Sequence, residues 1–227
     1  MPLKKSIPRA AARRLSLYLR ELSNRLEQGE LTVSSKGLGR TLGLTDAQVR
    51  KDLALFGQFG QSGRGYAIAD LIASLRRIMG CDHEWRVCVV GAGNIGRALA
   101  SYDRFRREGF TIVAVFDAEA PAVGRDIGGL RVRPMSDLAK VVASEHINLG
   151  IIAVPRESAQ QVADALVAAG VKGILNFAPR RIEVRDGIGI VSVDFTVALE
   201  QLAFQITSGQ GSSDNDRLPD GEAPTSG

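Results

Sequence analysis

Apolar residues recur at helical spacing through the first 80 residues of the chain and in short strand-like runs after that. A helix that ends near Gly29 is predicted by leucines on one stripe, Leu15, Leu19, Leu22 and Leu26. Ser6-Ile7-Pro8 has the order of an N-cap followed by a first-turn proline, so the helix is expected to begin there. A second short helix is predicted from Ser34 or Ser35 to near Gly43.

A third helix is predicted to begin at Thr45-Asp46-Ala47-Gln48, which has the form of a capping box. In that motif the threonine hydroxyl bonds the backbone amide of Gln48, whose side chain reaches back to the N-cap amide. The inner side of this helix is expected to bury Val49, Leu53 and Phe56. The outer side is expected to carry three polar residues near the N-terminal end, Gln48, Arg50 and Lys51.

Short helices joined by a tight turn at Gly43-Leu44 predict a helix-turn-helix, which spans about Tyr18 to Gly57. Gln, Arg and Lys side chains at the N-terminal end of the third helix can contact base edges or phosphates of DNA. The glycine-rich segment 57–66 follows and carries Arg64, which is typical of a wing that lies along DNA. A generic three-helix domain with a loose loop is the alternative that this spacing leaves open.

A further amphipathic helix is predicted at 69–79 and a junction at 80–83. After this junction the pattern changes from helical spacing to short strand-like apolar runs. A strand, Val87–Val90, leads into the G-x-G-x-x-G sequence Gly91–Gly96, and a second apolar run ends at Asp117. The order of strand, glycine turn, helix, strand and acid predicts a dinucleotide-binding site. A glycine turn with only a structural role is the alternative.

Each part of this motif has a physical reason. Gly91 allows a tight turn, Gly93 lets the backbone approach a pyrophosphate, and Gly96 lets the helix pack on the strand. A carboxylate at the position of Asp117 accepts hydrogen bonds from ribose hydroxyls and repels a 2′-phosphate, so NAD(H) is favoured over NADP(H). Arg125 would weaken this preference if it turned back toward the site.

Strand-like and helical patterns alternate through the rest of the second half. Strands are predicted at 130–133, 148–154 and 172–177, and helices at 136–144, with Ser136 as N-cap, and at 157–169. This alternation predicts a parallel, doubly wound sheet that binds ligands at the carboxyl ends of its strands. The predicted cofactor site comprises Gly91, Ala92, Gly93, Asn94, Ile95, Gly96, Asp117, Val154, Pro155, Asn176, Phe177 and Ala178. For the last five, loop residues that merely connect strands are the open alternative.

Charge is divided unevenly between the two parts of the chain. Residues 1–80 hold 14 Lys or Arg and 6 Asp or Glu, a net charge of +8. Residues 81–227 hold 15 Lys or Arg and 19 Asp or Glu, a net charge of −4. A basic segment beside an acidic one indicates that only the first meets a polyanion such as DNA, although a solvated basic surface would look the same.

The cysteine and histidine counts and the lack of long apolar runs in the sequence argue against several classes of protein. Two cysteines cannot form a disulfide framework, and two histidines give little support to a metal site, so no metal is predicted. No apolar run approaches the roughly 18 residues of a membrane span, and the N-terminus has no signal-peptide pattern. We therefore expect a cytoplasmic protein with no membrane partner.

Several separated stretches together resemble the Rex family of redox-sensing transcriptional repressors, over about residues 5–208. They are Tyr18-Leu19-Arg20, 48–53, 63–66, Gly91–Gly96 with Tyr102, 154–157, 173–179 and Val193-Asp194-Phe195. The resemblance implies a homodimer whose winged-helix domains bind an inverted-repeat operator and whose Rossmann domains bind NADH and also NAD+. It implies a repressor, not an enzyme, that releases DNA when NADH binds.

The resemblance also assigns roles to residues that no local pattern singles out. It implies that the helix from Asp194 to about Thr207 is exchanged between subunits, with one apolar face, Phe195, Leu199, Leu202 and Ile206. It implies switch residues whose contacts differ between the DNA-bound and NADH-bound states, Arg20, Tyr102, Asp194 and Phe195. Phe177, Phe195 and Tyr102 are candidates for a dry slot that disfavours the positive charge of NAD+.

The expected organisation has four parts: a winged-helix domain at 1–80, a Rossmann domain at 81–193, a dimer-exchange helix at 194–208 and a disordered tail at 209–227. An NAD-dependent dehydrogenase stays open as another class, but it needs an acid or base beside the nicotinamide. A CoA-binding or nucleotide-binding module of a larger complex is a third possibility, and it leaves the basic first half unexplained.

Overall fold

In the computed structural model, which describes residues 9–57, 59, 65–119 and 121–208, the chain divides into two compact units. One comprises the chain up to Asp82 together with the residues from Leu202 onward, and the other runs from His83 to Gln201. The predicted N-cap Ser6, the wing residue Arg64 and the tail lie outside the described residues.

The first unit contains helices joined by short turns and a small sheet. Its helices are α1 (Arg9–Glu27), α2 (Ser35–Thr41), α3 (Asp46–Ala54) and α4 (Ile68–Ile78). Two antiparallel strands, β1 (Thr32–Val33) and β2 (Tyr66–Ala67), pair between α1 and α4. The helices match the sequence predictions within a few residues, whereas β1 was not predicted because two residues carry no periodicity.

The core of this unit forms where α1 packs on the other helices. Leu15, Tyr18 and Leu22 of α1 are buried with Leu38 of α2 and Leu53 of α3. Leu26, predicted on the same stripe, is instead 40% exposed in the last turn of α1.

The second unit is built on a seven-stranded sheet in the order β5-β6-β4-β3-β7-β8-β9. Its strands are β3 (Trp85–Val90), β4 (Phe110–Asp117), β5 (Asp126–Ile127), β6 (Leu130–Pro134), β7 (Leu149–Ile152), β8 (Gly173–Asn176) and β9 (Gly189–Ser192). All neighbouring pairs are parallel except β5 with β6. The chain winds outward in both directions from β3, which is the doubly wound order that the alternation predicted.

Helices connect these strands and cover the sheet. They are α5 (Asn94–Ala100), α6 (Arg104–Arg107), α7 (Leu138–Ser144) and α8 (Ala159–Ala168). A further helix, α9 (Phe195–Thr207), follows the last strand and continues past Gln201, where the second unit ends. The predicted N-cap at Ser136 is wrong, because a 3-10 turn, Met135–Asp137, precedes α7 and no side chain caps either helix. β5, β9 and α6 were not predicted.

His146 follows α7 with φ +51°, a left-handed conformation found at no other non-glycine residue that the structure describes. Its backbone N–H donates to the Ala143 carbonyl, and that of Ile147 donates to Val142, which closes the helix end. Glycine is favoured at such a position because a Cβ there costs about 1–2 kcal/mol.

We therefore expect His146→Gly to raise the free energy of unfolding by about 1 kcal/mol, after the greater flexibility of glycine in the unfolded chain is deducted. Urea denaturation would measure it. His146→Ala is the matched control, since it removes the same imidazole but keeps the Cβ. Equal stability of the two variants would contradict the strain argument.

Candidate functional site

The glycine turn lies at the carboxyl end of β3, where the strand order reverses, between the neighbours β4 and β7. Gly91 has φ +106°, and a Cβ there would stand 2.3 Å from the Ala153 carbonyl oxygen. A Cβ at Gly96 would stand 1.7 Å from the Gly91 carbonyl oxygen. Both positions therefore need glycine for the protein to pack, whatever the turn binds.

Gly93 differs from these two because the protein itself does not need it to be glycine. A Cβ there would meet no protein atom within 4 Å, and the backbone is extended at φ −71° and ψ −168°. Gly93 is also the N-cap of α5, so the open space lies against backbone N–H groups at a helix N-terminus. This arrangement fits a phosphate group that approaches the backbone closely.

Asp117 ends β4 beside this turn. Its Oδ2 accepts a hydrogen bond of 2.6 Å from the Ala92 N–H, and its Oδ1 accepts one of 2.8 Å from the Glu119 N–H. A carboxylate has about four acceptor positions, so two remain for a ribose diol. Asp117 thus also fixes the glycine turn to the end of β4, a role that the sequence motif does not reveal.

The loops after β7 and β8 lie at the same edge of the sheet. Val154 is half-buried and Pro155 exposed after β7. Asn176 ends β8 with 0% exposure; its Nδ2 donates to the Arg180 carbonyl at 2.8 Å, and its Oδ1 accepts from the Ala178 N–H at 3.0 Å. The Asn176 side chain therefore shapes its own loop, and its place in the cofactor site stays a prediction.

Aromatic rings meet at this edge as well. Phe177 follows β8, and its ring centroid lies 5.9 Å from that of Phe195 at the start of α9. Tyr102, predicted for the same apolar slot, follows α5, and its ring packs on Phe105 with centroids 5.1 Å apart. The structure thus brings together two of the three predicted slot residues.

The other predicted switch residues lie on the surface. Arg20 is exposed on α1. Asp194 caps α9, since its Oδ1 accepts hydrogen bonds from the N–H groups of Thr196 at 2.9 Å and Val197 at 3.4 Å. A role for these residues in switching stays a prediction.

The predicted DNA-binding side chains of α3 differ in their exposure to solvent. Arg50 and Lys51 are exposed, and Arg50 pairs with Asp46 at 2.7 Å. Thr45 accepts the predicted cap hydrogen bond from the Gln48 N–H. The Gln48 side chain does not reach back to the N-cap; its amide donates to Asp52 at 2.7 Å and is half-buried, which corrects the outward placement.

Asp52 is 2% exposed and is the centre of a hydrogen-bond network between α1 and α3. This network was not predicted from the sequence. The Asp52 carboxylate accepts hydrogen bonds from Arg14 at 2.6 and 2.9 Å and from the Tyr18 hydroxyl at 2.7 Å. Burial by itself would raise the pKa of Asp52, but the hydrogen bonds from Arg14, Tyr18 and Gln48 outweigh it and lower the pKa below its ordinary value. Burial and the Asp52 carboxylate raise the pKa of Tyr18.

Because the folded-state pKa of Asp52 is lowered, its stabilising contribution is present above its unfolded pKa of about 3.9. It is lost as the pH falls through the lower folded-state value. We expect the unfolding free energy of the first unit to fall as the pH is lowered through this range. Urea unfolding followed by circular dichroism between about pH 2 and pH 7 would measure it. Asp52→Asn, which cannot titrate, should lack this step; an unchanged profile would exclude Asp52 as its source.

Helix α9 has no buried residue, although most of its side chains are apolar. Leu199 is 65% and Leu202 51% exposed, and both lie on the predicted face with Phe195 and Ile206. Phe204 is exposed too and falls on the opposite side at helical spacing, so the apolar surface extends round the helix. A helix that is apolar all round is stable in water only when something covers it.

Two classes of site find no support among the described residues. No group of three or more His, Cys, Asp or Glu side chains there lies close enough to hold a metal ion. Within the same part of the chain, no helix is both long and apolar enough to cross a membrane.

Comparison with known proteins assigns each half to a family model. Residues 6–54 match the model described as a putative DNA-binding protein N-terminus, and residues 82–180 match the CoA binding domain. The redox-sensing transcriptional repressor Rex of Carboxydothermus hydrogenoformans is 48% identical over 200 residues, which cover 88% of this chain and 96% of the relative. The chain belongs to the Rex family of redox-sensing transcriptional repressors.

Other Rex proteins are similar over the same extent. Rex 1 of Thermotoga maritima is 42% identical over 205 residues, which cover 90% of this chain and 98% of the relative. A solved structure of RSP in complex with beta-NAD+ and operator DNA matches with a TM-score of 0.86 at 33% identity, covering 91% of this chain and 95% of that one. RSP, described as a Rex-family repressor, has also been solved in complex with beta-NADH, with a TM-score of 0.83. The winged-helix and Rossmann-like fold predicted from the sequence is confirmed by these Rex structures.

Proposed function

We propose that this chain represses transcription by binding an inverted-repeat operator when NADH is scarce and releases the operator when NADH binds its second unit. The observation that carries the proposal is the fold that the chain shares with RSP, a relative solved with operator DNA and with each form of the nucleotide. We also propose that the protein is cytoplasmic, since a transcriptional repressor has to share a compartment with the DNA that it binds.

The second unit has the groups that NAD(H) binding needs. The open space at Gly93 admits the pyrophosphate to the N–H groups that begin α5. Asp117 keeps two acceptor positions for the adenosine ribose. The Phe177 and Phe195 rings offer an apolar surface for the nicotinamide ring.

The first unit has the groups that DNA binding needs. Arg50 and Lys51 are exposed on α3, the second helix of the helix-turn-helix pair formed with α2. Arginine can bond guanine through two N–H groups, and lysine can bond a phosphate. Arg64, which lies outside the described residues, is expected to act from the wing.

Two copies of the chain are needed to read an inverted repeat, because each recognition helix reads one half-site. The uncovered apolar surface of α9 supports dimerisation through this helix, exchanged between subunits. NADH binding would favour an arrangement in which the two recognition helices no longer match the spacing of the half-sites. By linkage, operator DNA must weaken NADH binding by the same factor.

A dehydrogenase is less well supported than a repressor. Its acid or base would have to lie at the carboxyl ends of the strands, where the nicotinamide binds. His83 precedes β3 and His146 precedes β7, so both histidines lie at the opposite, amino ends of parallel strands. The curated relatives reported above are likewise named as repressors and not as enzymes.

Fluorescence anisotropy on a labelled inverted-repeat duplex, taken from the DNA upstream of the gene for this chain, would test the proposal. The loaded duplex is titrated at fixed salt with NADH, NAD+ and NADPH in separate runs. Release by NADH, with little release by the other two, is the expected result. Operator binding that no nucleotide changes would contradict redox sensing.

Arg50→Ala is expected to weaken operator binding by about tenfold and to relax the preference for one base pair in each half-site. The reason is the loss of an exposed guanidinium on the recognition helix, which pairs with Asp46 at the surface. Arg106→Ala is the matched control, since it removes the same charge from an exposed position on α6 in the other unit. Equal affinity of both variants would remove Arg50 from the DNA interface.

A further inference from the structure

The Asp52 carboxylate uses its whole hydrogen-bonding capacity inside the protein. Its Oδ1 accepts from Arg14 at 2.9 Å and from Gln48 at 2.7 Å, and its Oδ2 accepts from Arg14 at 2.6 Å and from Tyr18 at 2.7 Å. These four bonds match the about four acceptor positions of a carboxylate. Arg14 and Tyr18 belong to α1, whereas Gln48 stands one turn before Asp52 on α3.

This arrangement determines which end of the Gln48 amide faces inward. An ionised carboxylate accepts hydrogen bonds but cannot donate them, so only the Nε2 of Gln48 can bond it. The Oε1 of Gln48 has no hydrogen-bond partner among the described residues, and no side-chain polar atom buried in that part of the chain lacks one. The Gln48 oxygen is therefore open to solvent at the N-terminal end of the recognition helix.

We propose that Asp52 is a positioning residue for base recognition: it holds the amide nitrogen of Gln48 inward and leaves the amide oxygen to face the DNA. An oxygen accepts hydrogen bonds, and in the major groove only the amino groups of adenine and cytosine donate them. Gln48 is thereby matched to an amino-bearing base in each half-site. This inference rests on the proposed DNA-binding function and adds the chemistry of one contact to it.

Two side chains of α1 support this orientation of the Gln48 amide by acting on Asp52. The Arg14 guanidinium bonds both oxygens of Asp52 and neutralises its charge, and Tyr18 fixes one of those oxygens from a fully buried position. A buried carboxylate without these partners would be protonated and could then donate to Gln48. Arg14, which bonds both oxygens, is enough to keep Asp52 an ionised acceptor and so to keep the Gln48 oxygen outward, while Tyr18 adds one further bond to Oδ2.

The test begins with a duplex that the unmodified chain selects from a randomised inverted repeat. Gln48→Ala identifies the base pair at which discrimination depends on Gln48. The amino-bearing base there is then replaced by an analogue that lacks its exocyclic amino group. The unmodified chain is expected to lose about tenfold in affinity for this duplex, and Gln48→Ala is expected to lose nothing further.

Asp52→Asn provides the second arm. Its amide can turn an N–H group toward Gln48, which would bring the Gln48 oxygen inward and its nitrogen outward. We expect this variant to bind the analogue duplex as well as the natural one and to keep its discrimination at every other base pair. Tyr18→Phe is the matched control, because it removes a bond to Asp52 but keeps the carboxylate, so sensitivity to the amino group should persist.

Several results would overturn the inference. Full affinity of the unmodified chain for the analogue duplex would do so, and so would a Gln48→Ala protein with unchanged discrimination at every base pair. Equal weakening of Asp52→Asn on all duplexes, with its sensitivity to the amino group intact, would show that Asp52 acts only on stability. If Asp52→Asn does not fold, the unmodified chain and Gln48→Ala still decide which end of the amide reads DNA. Failure of the unmodified chain to bind any selected duplex would instead reject the proposed function.

Discussion

Leu199→Glu combined with Leu202→Glu is expected to prevent the proposed dimerisation and to weaken operator binding by about a hundredfold to ten-thousandfold. Both leucines are more than half exposed on α9, where nothing in a single copy of the described chain covers them. Two carboxylates on this surface would have to lose their water if a second chain covered it, which opposes association strongly. Operator affinity falls because each monomer then binds only one half-site.

Sedimentation velocity and anisotropy on the same samples would measure both effects. Thr196→Glu combined with Thr207→Glu is the matched control, because it places the same two charges at exposed polar positions of α9. The control should remain a dimer and bind the operator normally. A leucine double variant that still sediments as a dimer would show that α9 is not the association surface.

Gly93→Ala is expected to weaken NADH binding between about tenfold and a hundredfold, from a steric cost of roughly 1–3 kcal/mol against the ligand. The new methyl group meets no protein atom within 4 Å, and φ −71° suits alanine, so the protein should keep its stability. The methyl group would occupy the space through which a pyrophosphate reaches the N-terminus of α5. Operator binding should persist, and its release should need about tenfold to a hundredfold more NADH.

NADH fluorescence titration and thermal unfolding would separate the two effects. Gly189→Ala makes the same chemical change at the amino end of β9, where the nearest atom to a new Cβ is 3.9 Å away. It should bind NADH like the unmodified chain. A Gly93→Ala protein with full NADH affinity would place the pyrophosphate elsewhere.

Local signals in the sequence were sufficient for the nucleotide motif. Gly91, Gly96 and Asp117 could be placed from their spacing, because a turn, a close helix approach and a strand end depend on neighbours along the chain. The doubly wound sheet followed from the alternation of strands and helices for the same reason. The two-residue strands β1 and β5 were missed, since two residues show no reliable period.

Contacts between distant residues escaped prediction. Asn176 was expected in the cofactor site because of its position at a strand end, but its amide holds the loop up to Arg180. Gln48 was expected to point outward from helical spacing alone. Its amide instead meets Asp52, whose charge is in turn held by Arg14, 38 residues away.

The amino-acid sequence by itself determined the two kinds of domain, the glycine turn and the charge difference between the halves, because these depend on local pattern and composition. Only the tertiary structure decided which polar groups are already engaged and which stay open for a ligand. Gly93 is open and Asn176 is not, although both stand at strand ends or turns of the same sheet. Hydrogen bonds and steric space depend on neighbours in three dimensions, which no spacing along the chain records.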